Sequence, residues 1–169
     1  MKRVVQRVEL FINLCLIGAV LLFVSSVGWF ALRSRSAMRT PRSSIEKGTK
    51  LILPGRDWSK SPQTLVLVLS EDCKFCKESA PFYRRIVNQG TLIHNTRFLA
   101  ILPQPPNESR EYLAKLDVKI DDLMQAAPAS VGAKGTPTLI LVNASGVVIQ
   151  SWEGLLPFNA ETEVLAQMK

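Results

Sequence analysis

The chain has 169 residues, 47% of them hydrophobic, a formal net charge of +7 and three cysteines, which suits one domain with a core plus an added segment. The charge is local. Residues 1–42 carry Lys2, Arg3, Arg7, Arg33, Arg35, Arg39 and Arg42 against Glu9, while the rest of the chain holds fourteen basic and thirteen acidic side chains. An excess that flanks one segment, without forming a stripe across a domain, removes the main support for a nucleic-acid partner.

That segment is Leu10 to Leu32, 23 residues without a charge. As a helix rising about 1.5 Å per residue it spans a hydrocarbon layer of roughly 30 Å. Trp29 and Phe30 stand near its far end, where aromatic rings favour the interface. The stretch is longer than the apolar region of a signal peptide, and no small-x-small cleavage site follows it. It reads as a transmembrane anchor, with residues 1–9 as a basic leader to it. Cys15, in mid-span, is an apolar filler. Three basic residues precede the span and four follow it, so charge alone does not orient it.

Residues 33–50 are polar and rich in Ser and Arg, a linker between the span and a domain over 51–169. "TLVLVLS" (Thr64–Ser70) is an apolar run without alternation, the pattern of a strand buried on both faces. From Lys74 the period changes: Phe75, Cys76, Ala80, Phe82, Tyr83, Ile86 and Val87 recur at helical spacing, with Pro81 placed to kink the helix. Thr96–Leu102 is a second strand and Pro103–Asn107 a breaker. Glu108–Leu116 and Asp121–Ala126 read as short helices. "PTLILVNASGVVIQSW" holds two apolar runs around "NASG", a hairpin, and Phe158–Met168 is an amphipathic closing helix. This order predicts an α/β fold, an open sheet covered on both faces.

Two cysteines stand in "SEDCKFCKES", with two residues between them. A structural zinc site needs four ligands, and the chain offers one pair and one histidine, His94. A static clip closing so short a loop would stabilise weakly. The placement favours redox work. Cys73 falls where a buried strand ends and a helix begins, so its thiolate would meet unpaired N–H groups and the positive end of the helix dipole. Lys74 and Lys77 add positive charge, offset in part by Glu71 and Asp72. Cys76, one turn on, is placed to resolve a mixed disulfide.

"CKFC", Pro81 in the same helix, and the later "GTPTLILV" with its hairpin resemble the thioredoxin superfamily over residues 50–169. The resemblance implies a three-layer sandwich, a central mixed sheet with helices on both faces. It implies a redox-active disulfide between Cys73 and Cys76, with Pro137 cis and lying against it. It also implies substrate contacts from Thr136, Lys74 and Phe75. The 61 positions between Cys76 and Pro137 leave room for an inserted strand and helix. With the anchor, that is similar to the TlpA/ResA branch of extracytoplasmic thiol-disulfide oxidoreductases. The domain is then expected outside the cytoplasm, with Lys2, Arg3 and Arg7 inside.

The sequence also departs from the family. Asp72 replaces the usual Trp before the first cysteine, and Phe75 the common proline between the two. The buried acid of the central strand falls on Leu67, and the family's Glu beyond the second cysteine falls on Ser79, so no proton acceptor for Cys76 is assigned. The alternative is a thioredoxin-like copper chaperone of the Sco type, binding metal through Cys73, Cys76 and His94. Its cysteines, however, are separated by three residues. A peroxiredoxin lacks its Pro-x-x-x-Thr-x-x-Cys stretch here. Trp58 and Trp152 read as packing residues. No cofactor or resident metal is expected. The expected partners are proteins with disulfides or thiols, a membrane or soluble electron donor, and lipid around residues 10–32.

Overall fold

A computed structural model describes residues 17–18, 45–93, 96–120 and 122–168. The chain divides into two units, Met1–Thr40 and Pro41–Lys169. In the first, Ile17 and Gly18 are helical. The rest of the 10–32 span, the residues before it and the linker up to residue 44 lie outside the described residues. Among the described residues, no helix is long and apolar enough to cross a membrane.

The second unit is built on a five-stranded sheet in the order β3-β2-β1-β4-β5. β1 (Gln63–Val68) is central, parallel to β2 (Thr96–Leu102) and antiparallel to β4 (Thr138–Asn143). β3 (Leu123–Gln125) lies parallel on the outside of β2, and β5 (Val148–Glu153) forms a hairpin with β4. The mixed sheet expected from the sequence is present. A run such as Leu65–Leu69, with every residue fully buried, requires apolar layers above and below it.

The two layers follow from the alternation of strand side chains. Leu65, Leu67, Leu69, Phe98, Ala100, Leu139 and Leu141 face one core, and Val66, Val68, Leu99, Ile101, Ile140 and Val142 face the other. Over the first lie α1 (Lys74–Glu78), α2 (Ala80–Ile93), α3 (Pro106–Lys115) and α4 (Phe158–Gln167). The second is covered by single 3-10 turns at Trp58–Lys60 and Pro128–Val131 and by the segment from Ile45 to Leu53. That segment runs beside β5. Gly48 N donates to Val148 O and Val148 N to Thr49 O, both at 2.8 Å, and Ser151 Oγ donates to Ile45 O at 2.8 Å. Among the described residues, packing on the sheet thus includes Ile45, within the stretch the sequence assigns to the linker.

α1 and α2 are one helical run interrupted at Ser79. Pro81 has no N–H to offer the Lys77 carbonyl and its ring crowds that group. The break therefore falls where the sequence places a kink. One expectation fails: of the stretch Asp121–Ala126 read as a helix, the described residues 122–126 are not helical. Leu123, Met124 and Gln125 pair with Ala100, Ile101 and Leu102, and Leu123 and Met124 pack against opposite cores. In so short a stretch, helical and strand periodicity cannot be told apart, and an open edge on β2 decides between them.

Candidate active site

The site lies at the carboxyl end of β1. The chain leaves the sheet through Ser70, and Cys73 N donates to Ser70 O at 3.2 Å, turning the backbone toward the helix. Cys73 is the N-cap of α1, with extended φ and ψ of −82° and 111°. Its Sγ accepts the backbone N–H of Cys76 at 3.0 Å. The sulfur therefore takes the place of the oxygen that usually satisfies a helix's first donors. Cys73 and Cys76 are joined as a disulfide, with Cα atoms 5.2 Å apart. Cys73 is half-buried at the surface, whereas Cys76 is fully enclosed.

The second component arrives from the far side of the sequence. β1 pairs with β4 so that Val68 stands opposite Thr138, which brings the residues before Thr138 beside the cysteine loop. The Thr136-Pro137 peptide is cis, and the Thr136 carbonyl oxygen lies 3.3 Å from Cys73 Sγ. Thr138 Oγ1 donates to Gly135 O at 2.8 Å, closing the turn that holds this loop. Thr136, Pro137 and Cys73 are thus brought together by strand register.

Phe75 is 50% exposed although it is a large apolar side chain, and it sits between the cysteines. Lys74 is exposed and pairs with Glu78 at 3.6 Å. His94 lies outside the described residues. Among the described residues, no three His, Cys, Asp or Glu side chains gather as metal ligands would. Leu67 is apolar and fully buried. Trp152 is enclosed in the first core, and Trp58 packs against the second.

Two neighbours of the site were not foreseen. Gly154 N donates to Pro137 O at 2.8 Å, which sets Leu155, 48% exposed, next to the loop carrying the cis peptide. Glu153 Oε1 would stand 3.5 Å from a Cβ placed on Gly135, so a carboxylate borders the same loop. The signal in the sequence was an apolar pair, Leu155-Leu156, just past the last strand. Only the register of β5 on β4 shows which strand end it joins.

A family model described as a thioredoxin-like domain matches residues 59–169, well over half of the chain. The chain belongs to the thioredoxin-like family. Among curated proteins, none matches this thioredoxin-like chain in sequence. Solved structures resemble it in fold. One is described as a candidate thiol:disulfide interchange protein DsbE from Chlorobium tepidum, 20% identical, with a TM-score of 0.58 over 74% of this chain and 99% of that one. Another is the thioredoxin domain of a thiol-disulfide oxidoreductase from Bacteroides vulgatus, 15% identical, TM-score 0.57, covering 74% and 99%. A third is a thioredoxin-family thiol:disulfide interchange protein from Chlorobium tepidum, 16% identical, TM-score 0.55, covering 73% and 97%. In these three matches about three quarters of this chain covers nearly the whole of the other solved chain.

Proposed function

We propose that the chain is a membrane-anchored, extracytoplasmic thiol-disulfide oxidoreductase that reduces disulfides in partner proteins through Cys73 and Cys76. One observation carries the chemistry: a half-exposed cysteine caps a helix at a strand end, paired to a fully buried cysteine behind it. The 23 uncharged residues from Leu10 to Leu32 support the anchor. The neighbours described as thiol:disulfide interchange proteins support the reaction class.

In the reduced protein the Cys73 thiolate attacks one sulfur of a substrate disulfide. A mixed disulfide forms and the first substrate sulfur leaves as a thiolate, which takes a proton from solvent. Cys76, as thiolate, then attacks Cys73 Sγ, forming the Cys73–Cys76 bond and releasing the second substrate sulfur. Two electrons have passed to the substrate, and a dithiol donor must return them. The helix N-terminus and the Cys76 N–H favour charge on Cys73 Sγ, while burial of Cys76 keeps it from competing for the substrate. Phe75 and Lys74 form the rim that meets the partner, and the Thr136 backbone borders the attacked sulfur.

Cys76→Ser is expected to accumulate mixed disulfides with partners, because attack proceeds and release does not. Cys73→Ser is expected to trap none and to lose insulin disulfide reduction. A non-reducing gel reads both. Equal trapping by the two variants would overturn the roles. For the topology, a reporter active only in the cytoplasm, fused to the C-terminus, is expected to be silent. Its activity would reverse the orientation.

A further inference from the structure

A buried resolving cysteine must lose its proton somewhere. Cys76 has none of its surface exposed, and an apolar site opposes the thiolate that the second half-reaction needs. The residues of β1 and its end that share the cluster, Leu65, Leu67 and the following Leu69, are all apolar, so no carboxylate there can take the proton.

Polar groups enter the cluster from the helices. Cys76, Ser79 and Tyr83 lie at i, i+3 and i+7 on one helical face, and all three are buried. Long side chains on a helix lean toward its N-terminus, which carries the Tyr83 hydroxyl back over Ser79 in the direction of Cys76. α3 closes this face: Arg84 Nη1 donates to the Leu116 carbonyl at 2.8 Å, and Tyr112 of α3 is buried in the same cluster.

The hydroxyls of Tyr83 and Tyr112 are both shut off from solvent; Ser79 stands beside the Tyr83 hydroxyl, and the Tyr112 hydroxyl has no hydrogen-bond partner among the described residues. Interiors rarely leave a buried hydroxyl orphaned, so the Tyr112 hydroxyl calls for an explanation. Burial raises the Tyr83 phenol, with Ser79 drawing it part of the way back and Tyr112 adding to the rise. Burial and the charge of Glu71 raise Tyr112. Both therefore remain neutral hydroxyls, able to donate and accept.

We propose that the Tyr83 and Tyr112 hydroxyls, with Ser79, form the proton path of Cys76, opening at the rim on the Glu71 carboxylate. The proposal rests on the redox reading of Cys73 and Cys76. In the resolving step the Cys76 thiol passes its proton into this chain of hydroxyls, and Glu71 or the solvent beyond it receives one. The hydroxyls exchange protons and end unchanged. The thiolate then forms the bond to Cys73 Sγ as the bond from Cys73 to the substrate breaks. The tyrosines are positioning residues. The titratable groups near Cys76 are Glu71 and Asp72 in the loop, Cys73 at the N-cap, and Lys74, Lys77 and Glu78 on α1, with Tyr83 of α2 and Tyr112 of α3 in its cluster; Lys115 also feels the Glu71 charge. β1, β4 and α4 present apolar side chains to the cluster.

The reduced full-length protein, with Cys15→Ser to silence the third thiol, is mixed with one equivalent of an aromatic disulfide that releases a coloured thiolate. The first phase reports attack by Cys73 and the second reports resolution by Cys76, each followed across pH. The Tyr83→Phe, Tyr112→Phe double variant is expected to slow the second phase about tenfold and to move its midpoint to higher pH, with the first phase as internal reference. Deleting the buried Tyr112 hydroxyl, which has no partner among the described residues, removes a cost to folding. Should that variant unfold, Glu71→Gln and Ser79→Ala decide alone, since both are expected to shift the second phase in the same direction. Unchanged second phases and midpoints in folded variants would overturn the path. Absence of the first phase in the unsubstituted protein would overturn the redox reading itself, and the path with it.

Discussion

Gly146 in the β4–β5 turn is where a single methyl group should cost most for its size. Its φ is +73°, and a Cβ there would stand 2.5 Å from Trp58 Cδ1 and 2.6 Å from Nε1. The turn cannot easily relax. Asn143 Oδ1 accepts from Ser145 N at 2.9 Å and Val147 N at 3.0 Å, and Leu51 N donates to Gly146 O at 2.8 Å. For Gly146→Ala the left-handed backbone costs about 1–2 kcal/mol, and the lower entropy of the unfolded chain returns about 0.4–1 kcal/mol. Forcing Trp58 off the second core adds about 1–3 kcal/mol. The net expectation is a loss of about 3 kcal/mol, which at a urea m-value of about 2 kcal/mol per molar lowers the midpoint by about 1.5 M. Far-UV circular dichroism is the readout, because Trp58 itself would disturb fluorescence. In a Trp58→Ala background the same substitution is expected to cost only the backbone part, so the two changes couple. Turnover per folded molecule should not change, because the register that sets Thr138 against Val68 sets Asn143 against Gln63, at the other end of the sheet. A midpoint shift below about 0.3 M, or strict additivity with Trp58→Ala, would refute the contact.

Asp122 accepts from Arg56 at 2.5 and 2.7 Å and pairs with Arg97 at 2.8 Å. Asp122→Ala, leaving both guanidinium groups half-buried without that carboxylate, is expected to lose about 1–2 kcal/mol in urea unfolding and to become less sensitive to salt. The Tyr112 phenol is pushed up to about 12 by burial and by the Glu71 charge, from an ordinary 10.0. Its folded form therefore resists ionisation. The stability this represents is complete below pH 10 and is lost as pH rises toward 12, and Tyr112→Phe should flatten that decline in alkaline unfolding. Phe75→Ser is expected to change stability by less than about 0.5 kcal/mol while raising KM for a protein disulfide and sparing a small aromatic one. An equal loss on both substrates would remove Phe75 from the docking rim.

Much of this molecule was legible in the residues themselves. Unbroken apolar runs such as Leu65–Leu69 announce strands with cores on both sides, and β2 occupies the Thr96–Leu102 stretch its pattern marks. Pro81 announces the helix break, and two cysteines one turn apart after a buried strand announce the helix cap. These are local facts, set by the covalent geometry and hydrogen-bonding needs of neighbouring residues. Three further features depended on contacts between distant parts of the chain. Leu123–Gln125 became a strand because β2 offered an open edge, which a three-residue pattern cannot reveal. Ile45–Lys50, assigned to the linker, became part of the fold because the second core needed a cover. The site's border, Leu155 and Glu153 beside the Thr136-Pro137 loop, follows from strand register. Register is a cooperative outcome of the whole hydrophobic pattern, so it can be read only once the sheet is assembled.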